Sequence, residues 1–398
     1  MADSLNRAPC QSAMPLGRRR VIGLLGGGLV LATTGLTACS SEFPAASVQA
    51  WQPPAEGADV RRFMLAHALL APNPHNRQPW LADLRREGEI TLVCDKDRLL
   101  PETDPFGRQI LIGCGAFIEL AAMAATKRGY RVQIEPFPDG EPGAQDLPGG
   151  RAVARLKLQA DPSMPRDPLF AQIRRRHTHK GVYDNLRQVP APLWRQMQTM
   201  AQEHGVLGGA ITDAARIGQI RQVARASFET EMSTARTWLE SAHLLRIGPQ
   251  EIAKHRDGIS LMGKLPRTMS AIGLFDRFEV PVRGSSNFKR VTDRFLAEET
   301  GSGYFWIATQ GNSRRDQLAC GRAYVRAQLA ATAAGVSLHP QSQALQEFAE
   351  VRPQFDAMHR LLGFDPARHR LQMLARVGYA DSAAQATPRR ELEQLISG

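Results

Sequence analysis

Aromatic side chains make up only 6% of this 398-residue chain. Surfaces that bind nucleic acid interleave basic residues with exposed aromatics, so the net charge of +11 does not by itself point to such a partner. Cysteine is also scarce. Cys10, Cys39, Cys94, Cys114 and Cys320 are the whole set, with no CxxC spacing. That excludes a disulfide framework and a thiolate metal knuckle. No Gly-x-Gly-x-x-Gly follows a strand-like run, no phosphate loop ends in Gly-Lys-Ser/Thr, and no serine sits in a Gly-x-Ser-x-Gly elbow. The dinucleotide fold and the common hydrolase site are thereby set aside. "HTH" at 177–179 offers two imidazoles without convergent ligands, so no metal is expected there.

An uncharged apolar stretch does run from Val21 to Ala38, behind Arg18, Arg19 and Arg20 and ahead of Leu36-Thr37-Ala38-Cys39. The pattern resembles a twin-arginine export signal whose end resembles a lipobox, with Cys39 as the lipidated residue. An uncleaved anchor is the competing reading. Residues 1–38 are expected to leave with Arg7, Arg18, Arg19, Arg20 and Asp3, which lowers the net charge from +11 to +8. The expected location is the periplasm or the outer face of the membrane. The partner implied there is the twin-arginine export machinery, and the lipobox reading implies membrane anchoring through Cys39.

Residues 39–58 are rich in Pro and Ala and read as a linker. Helical spacing follows in "VRRFMLAHALL", ending at Pro72. "EITLVCD", "YRVQIEPF", "RAVARLKLQ", "YFWIATQ" and "RLQMLARVGYAD" read as strands. "RQILIGCGAFIELAAMAATKRG" and "SRRDQLACGRAYVRAQLAATAAG" read as long helices, and "DPLFAQIRRRHTHKG" as a third.

The two long helices match without gaps at a shift of 206 positions. Arg108 falls on Arg314, Cys114 on Cys320, Gly115 on Gly321, Thr126 on Thr332 and Gly129 on Gly335. A shared register of that kind indicates an internal duplication. The expected fold is α+β, a mostly antiparallel sheet with flanking helices, present twice and closed into a pseudo-dimer. The first half is placed at 59–160 and the second at 161–398, with an insertion at about 228–300. The paired Cys-Gly positions are expected to be packing sites where helices approach. The insertion reads as a packing arm or a lid.

Several segments carry site chemistry. Arg176, His177, Thr178 and Lys180 concentrate charge and donors, and alternation in extended backbone would turn Arg176, Thr178 and Lys180 to one side. "RHTHKGVY" resembles the opening motif of the FMN-dependent nitroreductase family. "APNPHNRQPW" resembles that family's Asn-x-Gln-Pro-Trp segment, "GVSLHPQSQ" its loop along the flavin, and "TPRREL" its basic tail. The duplication resembles the Acg-type branch. The resemblance implies FMN as cofactor, with a small-molecule electron donor such as NAD(P)H and a nitroaromatic or quinone-like acceptor. It implies cofactor contacts from Arg176, His177, Thr178, Lys180, His75, Asn76, Gln78, His339, Pro340, Gln341 and Ser342. Arg389 or Arg390 is expected to complete the phosphate clamp. No side chain need act as general acid, because the flavin carries the chemistry.

The chain departs from the family in having Gln341 and Gln343 where an acid is common. A flavin-storage or redox-sensing protein without turnover is therefore the second reading, and a basic surface-binding protein the third. "RHTHK" and "HPQSQ" lie in the second half and "HNRQPW" in the first, so the halves are complementary and one site per chain is expected.

Overall fold

The computed structural model describes residues 43–397, except residues 56, 272, 274 and 275. The expected export signal at 1–38 and the lipidation site Cys39 lie outside the described residues.

The chain opens with the helical turn α1 (Ala45–Val48) and a 3-10 turn at Gln49–Trp51. Helix α2 (Val60–Ala68) starts where the Asp59 carboxylate accepts the backbone N–H groups of Arg61 and Arg62. Strands β1 (Trp80–Asp83) and β2 (Glu89–Cys94) form a hairpin and lead to helix α3 (Arg108–Lys127). The buried Asp104 carboxylate takes the N–H groups of Gln109 and Ile110 at the start of that helix. Strands β3 (Tyr130–Pro136) and β4 (Ala152–Ala160) close the first half.

The second half begins with β5 (Tyr183–Asp184), α4 (Ala191–Gln202) and β6 (Leu207–Ile211). A long excursion follows: α5 (Ala214–Ser233), α6 (Ala235–Leu244), β7 (Leu245–Ile247), α7 (Gly248–His255), β8 (Ile259–Leu261), α8 (Lys264–Ala271) and α9 (Ser286–Glu298). Then come β9 (Gly303–Gln310), α10 (Arg314–Ala333), β10 (Ser337–Pro340), α11 (Arg352–Leu361), β11 (His369–Ala380) and β12 (Ile396–Ser397). The fold is α+β.

The two larger sheets repeat one another strand for strand. One runs β1-β2-β4-β3 and the other β6-β9-β11-β10, with every one of those neighbours antiparallel. The Ser313 hydroxyl and Asp316 carboxylate form a capping box at the start of α10. Between the sheets, α3 and α10 pack directly on each other, and glycine decides how closely. A Cβ at Gly115 would lie 2.2 Å from the Leu318 carbonyl oxygen, and one at Gly321 would lie 1.9 Å from that of Ile112. Leu318 is Ile112 shifted by 206, as Gly321 is Gly115. The contact is therefore reciprocal, as across a two-fold interface. Cys114 and Cys320 are fully buried beside these glycines, as packing positions.

Three sequence expectations change. The segment 167–181 is not a helix; beyond a 3-10 turn at Phe170–Gln172 it is irregular, because Arg176 and Arg174 spend their donors on distant carbonyls rather than lining a helix face. The proposed linker is not a free tether from residue 45 on, since Ser47 and Trp51 are buried. The division at 160/161 does not separate the halves in space. Strand β12, the end of the chain, runs parallel to β1 and joins the first half's sheet.

The excursion packs against the first half. The Glu240 carboxylate accepts the N–H groups of Glu102 and Thr103, and Asp257 pairs with Arg98 and Arg246. Helix α3 is apolar and long enough to cross a membrane, yet 83% of its apolar window is buried inside the protein.

Candidate functional site

The site is assembled from the loop after α2, the irregular segment 176–180, strand β10 and the C-terminal tail. In the loop, His75 (φ 47°), Asn76 (φ 50°) and Gln78 (φ 50°) all have left-handed backbone. Side chains other than glycine lose about 1 kcal/mol or more in that region, so the surrounding structure must hold them. Asn73 accepts the Gln78 N–H at 2.7 Å. Gln78 is fully buried, and its amide donates to the carbonyls of Asn76 and Arg256 and accepts the N–H of Arg390. Its donors and acceptor are thus engaged inside the protein, which makes it a staple between loop, excursion and tail. In the second half the interval between α4 and β6 is residues 203–206 alone, against 69–79 in the first, so no equivalent loop exists there.

Two buried guanidiniums meet beside this loop. Arg176 donates to the Leu70 carbonyl at 2.7 Å and to the Gln328 side chain at 3.2 Å. Arg389 donates to the carbonyls of Leu69, Leu70 and Ala71 and to the Asn76 side chain at 2.7 Å. Both therefore share Leu70, just beyond the negative end of α2. Among the described residues, neither has a carboxylate within salt-bridge distance. Burial lowers the pKa of Arg176 from its usual 12.5 to about 10. Burial, followed by the charge of Arg176, lowers that of Arg389 to about 9. Two like charges without a counter-ion are costly in such a place, and an anion would relieve both.

Polar atoms without a partner lie at and beside the pair. Among the described residues, Arg176 Nε, His177 Nδ1 and the Tyr324 hydroxyl are buried without a partner. Burial, with Arg176 and Arg389 next, holds the His177 pKa down to about 4. Thr178 stands one step further on, its hydroxyl 3.4 Å from the Gln328 amide. Arg390 goes elsewhere, to the carbonyls of Gln78 and Gln394, 4.0 Å from Asp95. Of the two tail arginines, Arg389 is the one at the cation pair.

Lys180 belongs to a second cluster. It keeps solvent-exposed surface, yet dense protein around it lowers its pKa. His75 is depressed to about 4 by burial, then by Lys180 and Arg77. His339 is depressed well below its usual value by burial, then by Arg376, Lys180 and His179. The Lys180 charge therefore bears on one imidazole from each half. The alternation that would turn Arg176, Thr178 and Lys180 to one side needs regular extended backbone, which is absent between residues 176 and 180. The segment is neither helix nor strand, and its two cations serve different clusters.

His339 and Pro340 lie in strand β10 rather than in a loop, and Pro340 sits on the edge strand, where a missing N–H costs least. Arg376 Nε donates to His339 Nδ1 at 3.1 Å, which leaves the ring proton on Nε2. Gln341 is buried and donates to the Glu299 carboxylate, which also accepts the Tyr304 hydroxyl at 2.9 Å. Ser342 is half-buried at the start of the turn Gln343–Leu345. His179 turns aside, 3.1 Å from the Ser382 hydroxyl. Sequence reasoning missed Glu299, Arg376, Gln328, Tyr324 and Trp51. Glu299 supplies next to Gln341 the acid that the local sequence lacks, but it lies 42 positions away and no spacing rule points to it.

No family profile matches the chain. It is 27% identical over 345 residues to "Putative NAD(P)H nitroreductase Rv3131" of Mycobacterium tuberculosis, across 85% of this chain and 91% of that one. It is 37% identical over 81 residues to "Putative NAD(P)H nitroreductase acg" of the same organism, across 20% and 24%. Among solved structures, it is similar to the FMN-dependent nitroreductase NfnB of Mycobacterium smegmatis in complex with NADPH. That likeness has a TM-score of 0.35 and 16% identity over 55% of this chain and 92% of that one. It is also similar to the FMN and NADPH-dependent nitroreductase NfnB of a Sphigopyxis strain, with a TM-score of 0.37 and 13% identity over 58% and 99%.

Proposed function

We propose that this chain is an FMN-binding oxidoreductase of the nitroreductase type, built from two fused halves that share one flavin site. The observation that carries the reading is the pair Arg176 and Arg389. Both are buried and, among the described residues, without a counter-ion; both rest on Leu70, and polar atoms without a partner among those residues lie beside them. The FMN phosphate carries close to two negative charges and accepts several hydrogen bonds, which matches that donor set. The likeness to Rv3131 over nearly the whole length supports the same family, and its name supports NAD(P)H as donor.

Bound flavin would supply the electron and hydride transfer. The chain would hold and surround it. Arg176 has donors to spare for the phosphate, and Arg389, its N–H groups already taken, adds charge from behind. Thr178 offers a hydroxyl. Four residues of extended chain from Arg176 to Lys180 span at most ~13 Å, room for the sugar chain between phosphate and ring. Lys180 and His339 Nε2–H, in the second cluster, suit the part of the ring where negative charge gathers on reduction. The first half supplies Leu70, His75 and Asn76, so a complete site needs both halves.

The acceptor is proposed to be a nitroaromatic, quinone or similar small molecule, and the place of action the periplasm or outer membrane face after twin-arginine export. Denaturing extraction of purified protein, with quantitation of the released flavin, tests the core of this. One FMN per chain is expected, bleached by NADPH under anaerobic conditions. Two flavins per chain, or a metal and no flavin, would overturn the reading.

A further inference from the structure

The segment just ahead of the first sheet carries an unassigned part of the anion site. Trp51 is buried, and its indole N–H donates to the Thr387 carbonyl at 2.8 Å. The guanidinium carbons of Arg389 and Arg176 lie 5.3 Å and 5.7 Å from its ring centre, and the His177 ring lies 4.4 Å away. One indole thus faces both buried cations and the His177 imidazole. The segment is tied down on either side. The Arg389 backbone N–H donates to the Ser47 carbonyl at 2.9 Å, and Arg174 donates to the carbonyls of Trp51 and Gln52.

These bonds leave the tail and the N-terminal segment locked together, with the indole as the shared face. A tryptophan ring attracts a cation through its negative π surface, and it does so without using any N–H group. It therefore steadies Arg176 while leaving the unfilled Arg176 donors available. An aspartate in its place would neutralise the pair and remove the reason for an external anion.

We infer that Trp51 is a positioning residue for the phosphate of the bound flavin: the segment Ala45–Gln52 is a strap that holds Arg176 and Arg389 together and makes the site selective for a phosphorylated flavin. The inference rests on the flavin reading above. It concerns selectivity, since the part of the flavin that Trp51 governs is the phosphate, which riboflavin lacks.

Full-chain protein, stripped of flavin, would be titrated by fluorescence quenching with FMN, with riboflavin and, in competition, with inorganic phosphate. Trp51→Leu keeps an apolar side chain of useful bulk but has no π face. Its preference for FMN over riboflavin should fall about tenfold, the size of two cation–π contacts at the weak end of their range, as their 5.3 Å and 5.7 Å separations imply, with riboflavin affinity unchanged. Trp51→Phe should keep most of the preference. An unaltered preference in Trp51→Leu would overturn the inference, and so would an equal loss of FMN and riboflavin, which is what a merely structural role produces. If the parent bound no flavin while phosphate binding still depended on Trp51, the flavin reading would fall and the strap would stand. Circular-dichroism melting of each variant keeps unfolding from being mistaken for loss of selectivity.

Discussion

Alanine at Gly321 separates two opposed effects that can be weighed from the structure. In a helix interior, alanine is favoured over glycine by about 1 kcal/mol. Here the new methyl carbon would lie 1.9 Å from the Ile112 carbonyl oxygen, where ordinary contact begins at 3.4 Å. The obstacle is backbone, so no rotamer change relieves it, and α3 and α10 would have to part by about 1.5 Å. Overpacking in a core costs about 1–3 kcal/mol, and the upper end applies when backbone must move. Steric cost therefore wins. Gly321→Ala should lose about 2 kcal/mol net and lower Tm by about 3 °C for a chain of this size. Gly115→Ala meets the Leu318 carbonyl oxygen at 2.2 Å and should behave alike. The double variant should cost less than the sum, because one separation of the helices relieves both contacts. Gly218, in α5, has nothing within 4 Å of the point where a methyl carbon would stand, and Gly218→Ala should stabilise by about 0.5–1 kcal/mol. Differential scanning calorimetry of the four variants decides the matter. A Gly321→Ala protein as stable as the parent would refute the close reciprocal packing from which the duplicated architecture is argued.

Arg176→Ala should weaken FMN binding by about ten- to a hundredfold, the loss of charge-assisted phosphate bonds worth about 1.5–3 kcal/mol, whereas His179→Ala should change it little; equal losses in a fluorescence titration would contradict the geometry. His359 donates to the Phe355 carbonyl and accepts the Leu371 N–H, so it is held neutral, and burial leads the causes that lower its pKa from 6.5 to about 4. The unfolded chain takes up that proton below pH 6.5 while the folded one refuses it until about pH 4, so stability is complete above pH 6.5 and drains away between these values. His359→Gln should remove about 3 kcal/mol of that slope in denaturant melts from pH 7 to 4, and an unchanged slope counts against the assignment. Changing Arg18 and Arg19 together to Lys should leave flavin-loaded precursor in the cytoplasm; normal export of that variant, read by cell fractionation, would dismiss the twin-arginine proposal.

Local rules carried much of the architecture. The long helices, the strands and the 206-residue shift are visible because periodicity, capping and a repeated register are written in neighbouring residues. Arg176, Lys180, Asn76 and His339 were nameable for the same reason, as short motifs. The partition between them was not. A run of five residues, 176–180, sets its first cation beside Arg389 and lets its last bear on His75 and His339, because the backbone there follows distant carbonyls rather than a regular element. Gln78 reads as a flavin ligand until Arg256 and Arg390 claim its amide. Trp51 reads as linker until the tail arrives beneath it, and Glu299 becomes an acid beside Gln341 only when the excursion returns to β9. Local sequence determines which groups are charged and which segments are regular. Burial, and with it the absence of a counter-ion at Arg176 and Arg389, is a property of what the whole chain packs around them, and only the tertiary structure decides it.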